Sequence, residues 1–149
     1  MKFSADDVFL DVNEASVEDF LQYAAKAAYD AGYTNDIEKL DQSFLAREQE
    51  FSTGLEDGFA IPHAKATAVK KPGFLYFRLS QPLNWKTYDK KPVTDVFALM
   101  VPPENAGDKH LQMLANLSTA LLEKDFKEKL RSLSSKEMIA QFINEKIGE

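Results

Sequence analysis

Two histidines, His63 and His110, and no cysteine at all limit the chemistry open to this 149-residue sequence. Imidazole is nucleophilic while neutral, and its ordinary pKa of about 6.5 keeps it mostly neutral near pH 7. His63 follows Ile61-Pro62; the proline fixes its own φ and removes a backbone donor, which stiffens the approach to the histidine. Gly54 and Gly58 lie just upstream and permit backbone conformations closed to other residues, with room for another molecule to come close. His110 stands two residues after Asp108, a residue placed to cap a helix, so it falls in a first turn. Unpaired N–H groups and the positive end of a helix dipole suit an anion there and disfavour an imidazolium. Arg47 offers a permanently charged, forked donor that matches phosphate. Phosphoryl transfer needs in-line placement and positive or hydrogen-bonding groups around three equatorial oxygens, with little covalent help. A nucleophilic His63, an accessory His110 and Arg47 form a sufficient set.

The same residues admit other readings. A lone surface histidine usually has no function, and an arginine at a helix end usually pairs with the dipole. Two histidines and a carboxylate could hold zinc, although no HExxH spacing and no cysteine supports it. They could also be the acid and base of a ribonuclease, against which stands the lack of a basic surface. Ser52-Thr53-Gly54 lacks the surroundings of a serine nucleophile. Phe74, Tyr76 and Phe77 read as core rather than as a stacking platform for nucleic acid.

The elements that must position the histidines follow from periodicity. Ser16 with Asp19 is a capping pair, and Val17, Phe20, Leu21, Ala24 and Ala28 share one face of the helix that follows. Gly32 is placed to stop it. A second helix is expected from near Asn35 to Arg47 or Glu48, with Ile37, Leu40, Phe44 and Leu45 inside. Residues 51–63 have no helical period and read as a turn-rich loop passing through a short strand. Phe74 to Leu79 and Val93 to Val101 read as strands, the second ended by Pro102-Pro103. Asp108 should cap a helix that buries Leu111, Leu114, Leu117, Leu121 and Leu122. A short helix near Phe126 to Leu130 and a last one after a Ser134–Glu137 capping pair complete the chain. Residues 1–12 read as a loose or extended entry segment. Helices at both ends with strands between predict an α/β sandwich, one domain over 1–149, with a mixed sheet flanked by helices.

Composition fits this. Hydrophobic residues at 44% and charged residues at 28% belong to a chain that can bury a core. A net charge of −6 argues against nucleic acid and for a basic protein partner. The missing cysteines exclude disulfides, thiolate metal sites and a cysteine nucleophile within this chain. The N-terminus turns acidic at once, unlike a signal peptide, and the run from Val96 to Val101 is far short of the roughly 20 residues that span a bilayer. A cytoplasmic location is the expectation.

Residues 47–63, Arg-Glu-Gln-Glu-Phe-Ser-Thr-Gly-Leu-Glu-Asp-Gly-Phe-Ala-Ile-Pro-His, resemble the active-site signature of type-2 enzyme IIA domains. These form the fructose/mannitol class of the bacterial phosphoenolpyruvate-dependent sugar phosphotransferase system. Residues 110–118, His-Leu-Gln-Met-Leu-Ala-Asn-Leu-Ser, resemble that family's second histidine segment, and Trp85 and Pro92-Val93 fall where such domains carry similar residues. The likeness covers nearly the whole chain. Many members have glycine where Glu56 stands, so that Glu56 and Asp57 place two acids near the site.

The resemblance implies a phosphotransferase-type mixed sheet flanked by helices and a phosphorelay that needs no cofactor or metal. HPr would donate to His63, forming a tele-phosphohistidine, with His110 and Arg47 steadying the phosphoryl group. Phospho-His63 would pass it to a cysteine on a IIB component serving a membrane IIC. This chain lacks that cysteine, so IIB is expected on another chain or on a segment beyond this one. A freestanding regulatory IIA of the nitrogen-related type, whose His63 phosphorylation controls binding to a target protein, is the alternative. The sugar is not legible, because IIA never touches it.

Overall fold

The computed structural model describes residues 3–104 and 108–147, with the side chains of residues 108–111 outside it. Ser16 accepts from the Asp19 N–H at 3.1 Å, and helix α1 (Val17–Asp30) buries Phe20, Leu21, Ala24 and Ala28 as the periodicity requires. Gly32, at φ 87°, turns the chain so that the Tyr33 N–H reaches the Ala28 carbonyl at 2.8 Å. Helix α2 (Ile37–Glu50) is capped by Asp36 rather than Asn35: its carboxylate accepts from the Lys39 N–H at 3.1 Å. A charged acceptor is favoured at the positive end of the dipole. The helix runs past Glu48 to Glu50 because no breaker stands there, and it stops where Phe51 becomes extended.

The sheet is mixed. Strand β1 (Val8–Val12) pairs parallel to β4 (Gly73–Leu83), β4 is antiparallel to β5 (Val93–Val101), and the short strands β2 (Phe59–Ala60) and β3 (His63–Lys65) lie in succession along the other edge of β5, both parallel to it. Within the expected loose or extended lead-in over residues 1–12, residues 8–12 form an ordered strand, β1. Its five residues are interrupted by Asp11 at φ 55°, and its partners, with Val8 opposite Tyr76, are remote in sequence. Nothing local therefore announces it. β5 is buried along almost its whole length, as a strand covered on both faces must be.

Alternation along β4 divides the core. Leu75 and Phe77 face α1 and α2, where Phe20 sets its ring edge against Phe77 at 5.1 Å. Phe74 and Tyr76 face the other way, toward Met113 and Leu117 of α3 (Asp108–Ala120) and Ile139 and Ile143 of α5 (Lys136–Ile147). Helix α4 (Lys124–Ser132) extends the short helix expected near residues 126–130 by about two residues at each end. Helices on both faces of one sheet are the predicted sandwich.

Two details differ from the sequence reading. Leu122 is 79% exposed because α3 ends at Ala120 and leaves it beyond the helix. Ser135 rather than Ser134 caps α5, accepting from the Met138 N–H at 3.0 Å. The cap expected at Asp108 and the burial expected of Leu111 lie outside the described residues.

Candidate functional site

The segment from Phe51 to His63 folds back on itself. The Leu55 N–H donates to the Phe59 carbonyl at 2.8 Å and the Ile61 N–H to the Thr53 carbonyl at 3.0 Å, with Gly54 and Ala60 bridged between them. At the tip, Asp57 and Gly58 both have positive φ, 58° and 82°. The returning arm joins β5 as β2, breaks at Ile61-Pro62, and joins again as β3. Proline, lacking an N–H, cannot donate to the ladder but can accept, and the Leu99 N–H reaches its carbonyl at 2.8 Å. His63 thus begins β3 opposite Leu99, near the end of β5 from which the chain leads on to α3.

Glu48, which the sequence reading passed over, holds the base of this loop. Its carboxylate accepts from the Thr53 N–H at 2.7 Å, the Thr53 hydroxyl at 2.6 Å and the Trp85 indole N–H at 2.9 Å. Thr53 and Trp85 are buried, so both need partners, and a charged acceptor gives stronger bonds than a neutral one. The signal in the sequence was a Thr and a Trp with no nearby polar partner, and only the fold brings them to one carboxylate. Gly54 serves the protein itself rather than an incoming molecule: a Cβ there would stand 2.2 Å from the Lys86 carbonyl oxygen. The two acids near the site separate. Glu56 is exposed, while the Asp57 carboxylate meets the Lys127 ammonium of α4 at 2.7 Å.

His63 is half-buried rather than openly exposed. Its Nδ1 is enclosed and has no hydrogen-bond partner among the described residues. Burial pushes its pKa below the ordinary imidazole value, and the Arg47 guanidinium pushes it further the same way. The Ile61 carbonyl and the Glu48 carboxylate act in the opposite direction and are outweighed. A carbonyl accepts from a ring N–H and so favours the protonated form, in which both nitrogens donate. The ring is therefore neutral at pH 7. Arg47 also does what an arginine at a helix end ordinarily does, donating to the Phe51 carbonyl at 2.9 Å where α2 stops. The fold places His63 and Arg47 in one electrostatic neighbourhood. The backbone of His110 lies in the first turn of α3, as its spacing from Asp108 predicted; its side chain lies outside the described residues.

Two grooves flank the loop. One, of about 380 Å³, has His63 and Lys65 in its wall beside Leu99 and Val101 of β5 and Leu114 and Ser118 of α3. The other, of about 630 Å³, opens between the first turn of α1, the end of α2 and residues 85–88; Phe51 and Tyr88 stand on it, 77% and 80% exposed. Among the described residues no helix is long and apolar enough to cross a membrane.

The family described as "Phosphoenolpyruvate-dependent sugar phosphotransferase system, EIIA 2" matches residues 1–146. The chain belongs to this family. Among the relatives of this type-2 IIA, a PTS system fructose-specific EIIA component of Haloferax volcanii is 33% identical over 138 residues, 93% of this chain and 89% of the relative. A nitrogen regulatory protein of Bradyrhizobium diazoefficiens is 36% identical over 111 residues, 74% of this chain and 71% of the other. The crystal structure of nitrogen regulatory protein IIA-Ntr from Neisseria meningitidis superposes with a TM-score of 0.83 at 29% identity, covering 93% of this chain and 94% of that one. The type-2 IIA family is a family of phosphocarriers, and the mixed sheet between helices is the architecture of its solved members.

Proposed function

We propose that this type-2 IIA takes a phosphoryl group from phospho-HPr on Nε2 of His63 and passes it to the cysteine of a IIB component in sugar uptake. The observation that carries this reading is the state of the His63 ring: neutral by burial and by Arg47, with Nδ1 enclosed, so that Nε2 is the nitrogen left to meet a donor. The Nε2 lone pair forms the new N–P bond while the N–P bond of the donor breaks, and its electron pair returns to the donor's imidazole. Arg47 offers positive charge to the equatorial oxygens as they pass, and the N–H groups of the first turn of α3, with His110, offer hydrogen bonds. In the onward step a thiolate sulfur attacks the same phosphorus and the bond to Nε2 breaks. No cofactor or metal takes part.

The fructose-specific relative, matched over nearly its full length, supports transport. A second reading rests on the nitrogen regulatory relatives, matched at comparable identity: phosphorylation of His63 would then switch binding to a target protein. One experiment addresses both. Incubation with phosphoenolpyruvate, enzyme I and HPr should place one acid-labile, base-stable phosphate on the chain, and His63→Ala should abolish it. Full labelling of that variant would remove the site assignment. Discharge of the labelled protein by a panel of IIB domains supports transport, whereas retention of the phosphate against every IIB supports the regulatory reading.

A further inference from the structure

The bend that leads into His63 is gripped by a helix that the transfer itself does not use. Lys127 and Arg131 sit four residues apart on α4 and leave one face of it together. The Lys127 side chain is only 5% exposed, and its ammonium ends on the Asp57 carboxylate at 2.7 Å. Arg131 donates to the Asp57 carbonyl and to Thr94 Oγ1 at 3.3 Å. It also reaches the buried Asp95 carboxylate at 3.1 Å and lies over the Phe59 ring at 4.4 Å. Two cations from one helix therefore fix the tip of the loop at residues 57–59, where Asp57 holds a left-handed conformation that few non-glycine residues adopt.

Packing alone does not account for Lys127. A buried ammonium gives up much of its hydration, and an apolar side chain of similar length would fill the same space at no such cost. What the charge adds is a directed contact. It ends on the bend, and the bend is coupled to the histidine through two rungs, Leu55 to Phe59 and Thr53 to Ile61, two residues short of His63. We propose that Lys127 and Arg131 are positioning residues for His63, fixing the Asp57–Gly58 bend and through it the placement of the imidazole beside Arg47. This rests on His63 as the phosphoryl acceptor.

The test compares wild type with Lys127→Met, Lys127→Arg and Asp57→Asn, each labelled from phospho-HPr, titrated by NMR at the His63 ring and unfolded in urea. Lys127→Met should fold with undiminished stability, since it removes a buried charge without opening a cavity. Its transfer should nevertheless slow on the order of tenfold, as misplacement of a reacting group does. Its His63 titration midpoint should rise as the loosened loop lets water to the ring. Lys127→Arg, which keeps the charge, should recover most of the rate. Asp57→Asn breaks the same pair from the exposed side and should slow transfer several-fold, which keeps the test decisive even if Lys127→Met unfolds. Wild-type rates with an unmoved His63 midpoint in folded Lys127→Met and Asp57→Asn would overturn the inference. So would slowing that only tracks lost stability. Failure of wild type to label on His63 would instead defeat the functional reading, and this inference with it.

Discussion

The proposed transfer places two demands on the His63 ring, to be neutral and to be reachable. Burial meets the first and limits the second: Nδ1 is enclosed without a partner among the described residues, while the ring still forms part of a groove wall. Arg47 adds charge that disfavours imidazolium, and in the proposed transfer that charge would face the phosphoryl oxygens. Arg47→Met should separate these contributions. Removing the guanidinium should raise the His63 midpoint toward the ordinary imidazole value in an NMR titration and slow labelling at pH 7 by about tenfold or more. An unchanged midpoint in that variant would remove Arg47 from the neighbourhood of the ring. Glu48 belongs beside these residues in a different capacity. It touches Thr53 and Trp85, and its charge opposes Arg47 at His63 only as a lesser influence.

At the scale of elements, the loop before His63 is held at three places: by α2 through Glu48, by the segment 86–89, and by α4 through Lys127 and Arg131. The middle support depends on a glycine. A Cβ on residue 54 would meet the Lys86 carbonyl oxygen at 2.2 Å and the Thr87 methyl at 2.8 Å. A backbone oxygen cannot swing aside as a side chain can. Gly54→Ala should therefore destabilise the fold by roughly 1–3 kcal/mol, read as a lower urea midpoint. A midpoint within error of wild type would mean that the two segments part easily and that the loop is held less firmly than these distances imply.

At the scale of the whole molecule, buried and paired titratable groups make stability depend on pH with opposite signs. His63 has a lowered pKa in the folded chain, so below about pH 6.5 the unfolded chain binds the proton more readily and acid erodes stability. Asp57, lowered first by its hydrogen bond from Lys127, contributes above the ordinary carboxylate pKa and is lost only as pH falls through its own lower value. Asp7 behaves in the reverse sense: burial raises its pKa, so protonation in the acid range relieves a strain of the folded state. Between about pH 6.5 and 5 a comparison with His63→Gln isolates the His63 effect from those of Asp7 and Asp41, whose pKa values burial raises. Unfolding free energies of wild type should thus fall across that window more steeply than those of His63→Gln, by no more than about 1.4 kcal/mol per pH unit for one proton. Parallel curves would show that the ring is not desolvated as described.

The chain's own order determined much of this. Ser16, the 3.6-residue spacing of Phe20, Leu21, Ala24 and Ala28, and the unbroken apolar run of β5 act within a few residues, and they announce a sandwich without reference to anything distant. The block from Arg47 to His63 was equally legible, because Gly54, Gly58 and Pro62 shape the backbone ahead of His63 wherever they stand. What needed the tertiary structure were relations between segments far apart in sequence. β1 exists as a strand because β4 lies beside it, and Glu48 matters because Trp85 and Thr53 arrive at one carboxylate. Asp57 is turned toward Lys127 by a helix some seventy residues later. Burial, the larger cause of the neutral His63 ring, is likewise a property of the packed sheet and helices. Local sequence sets torsional preference and periodicity; desolvation and charge pairing arise only once the chain has closed upon itself.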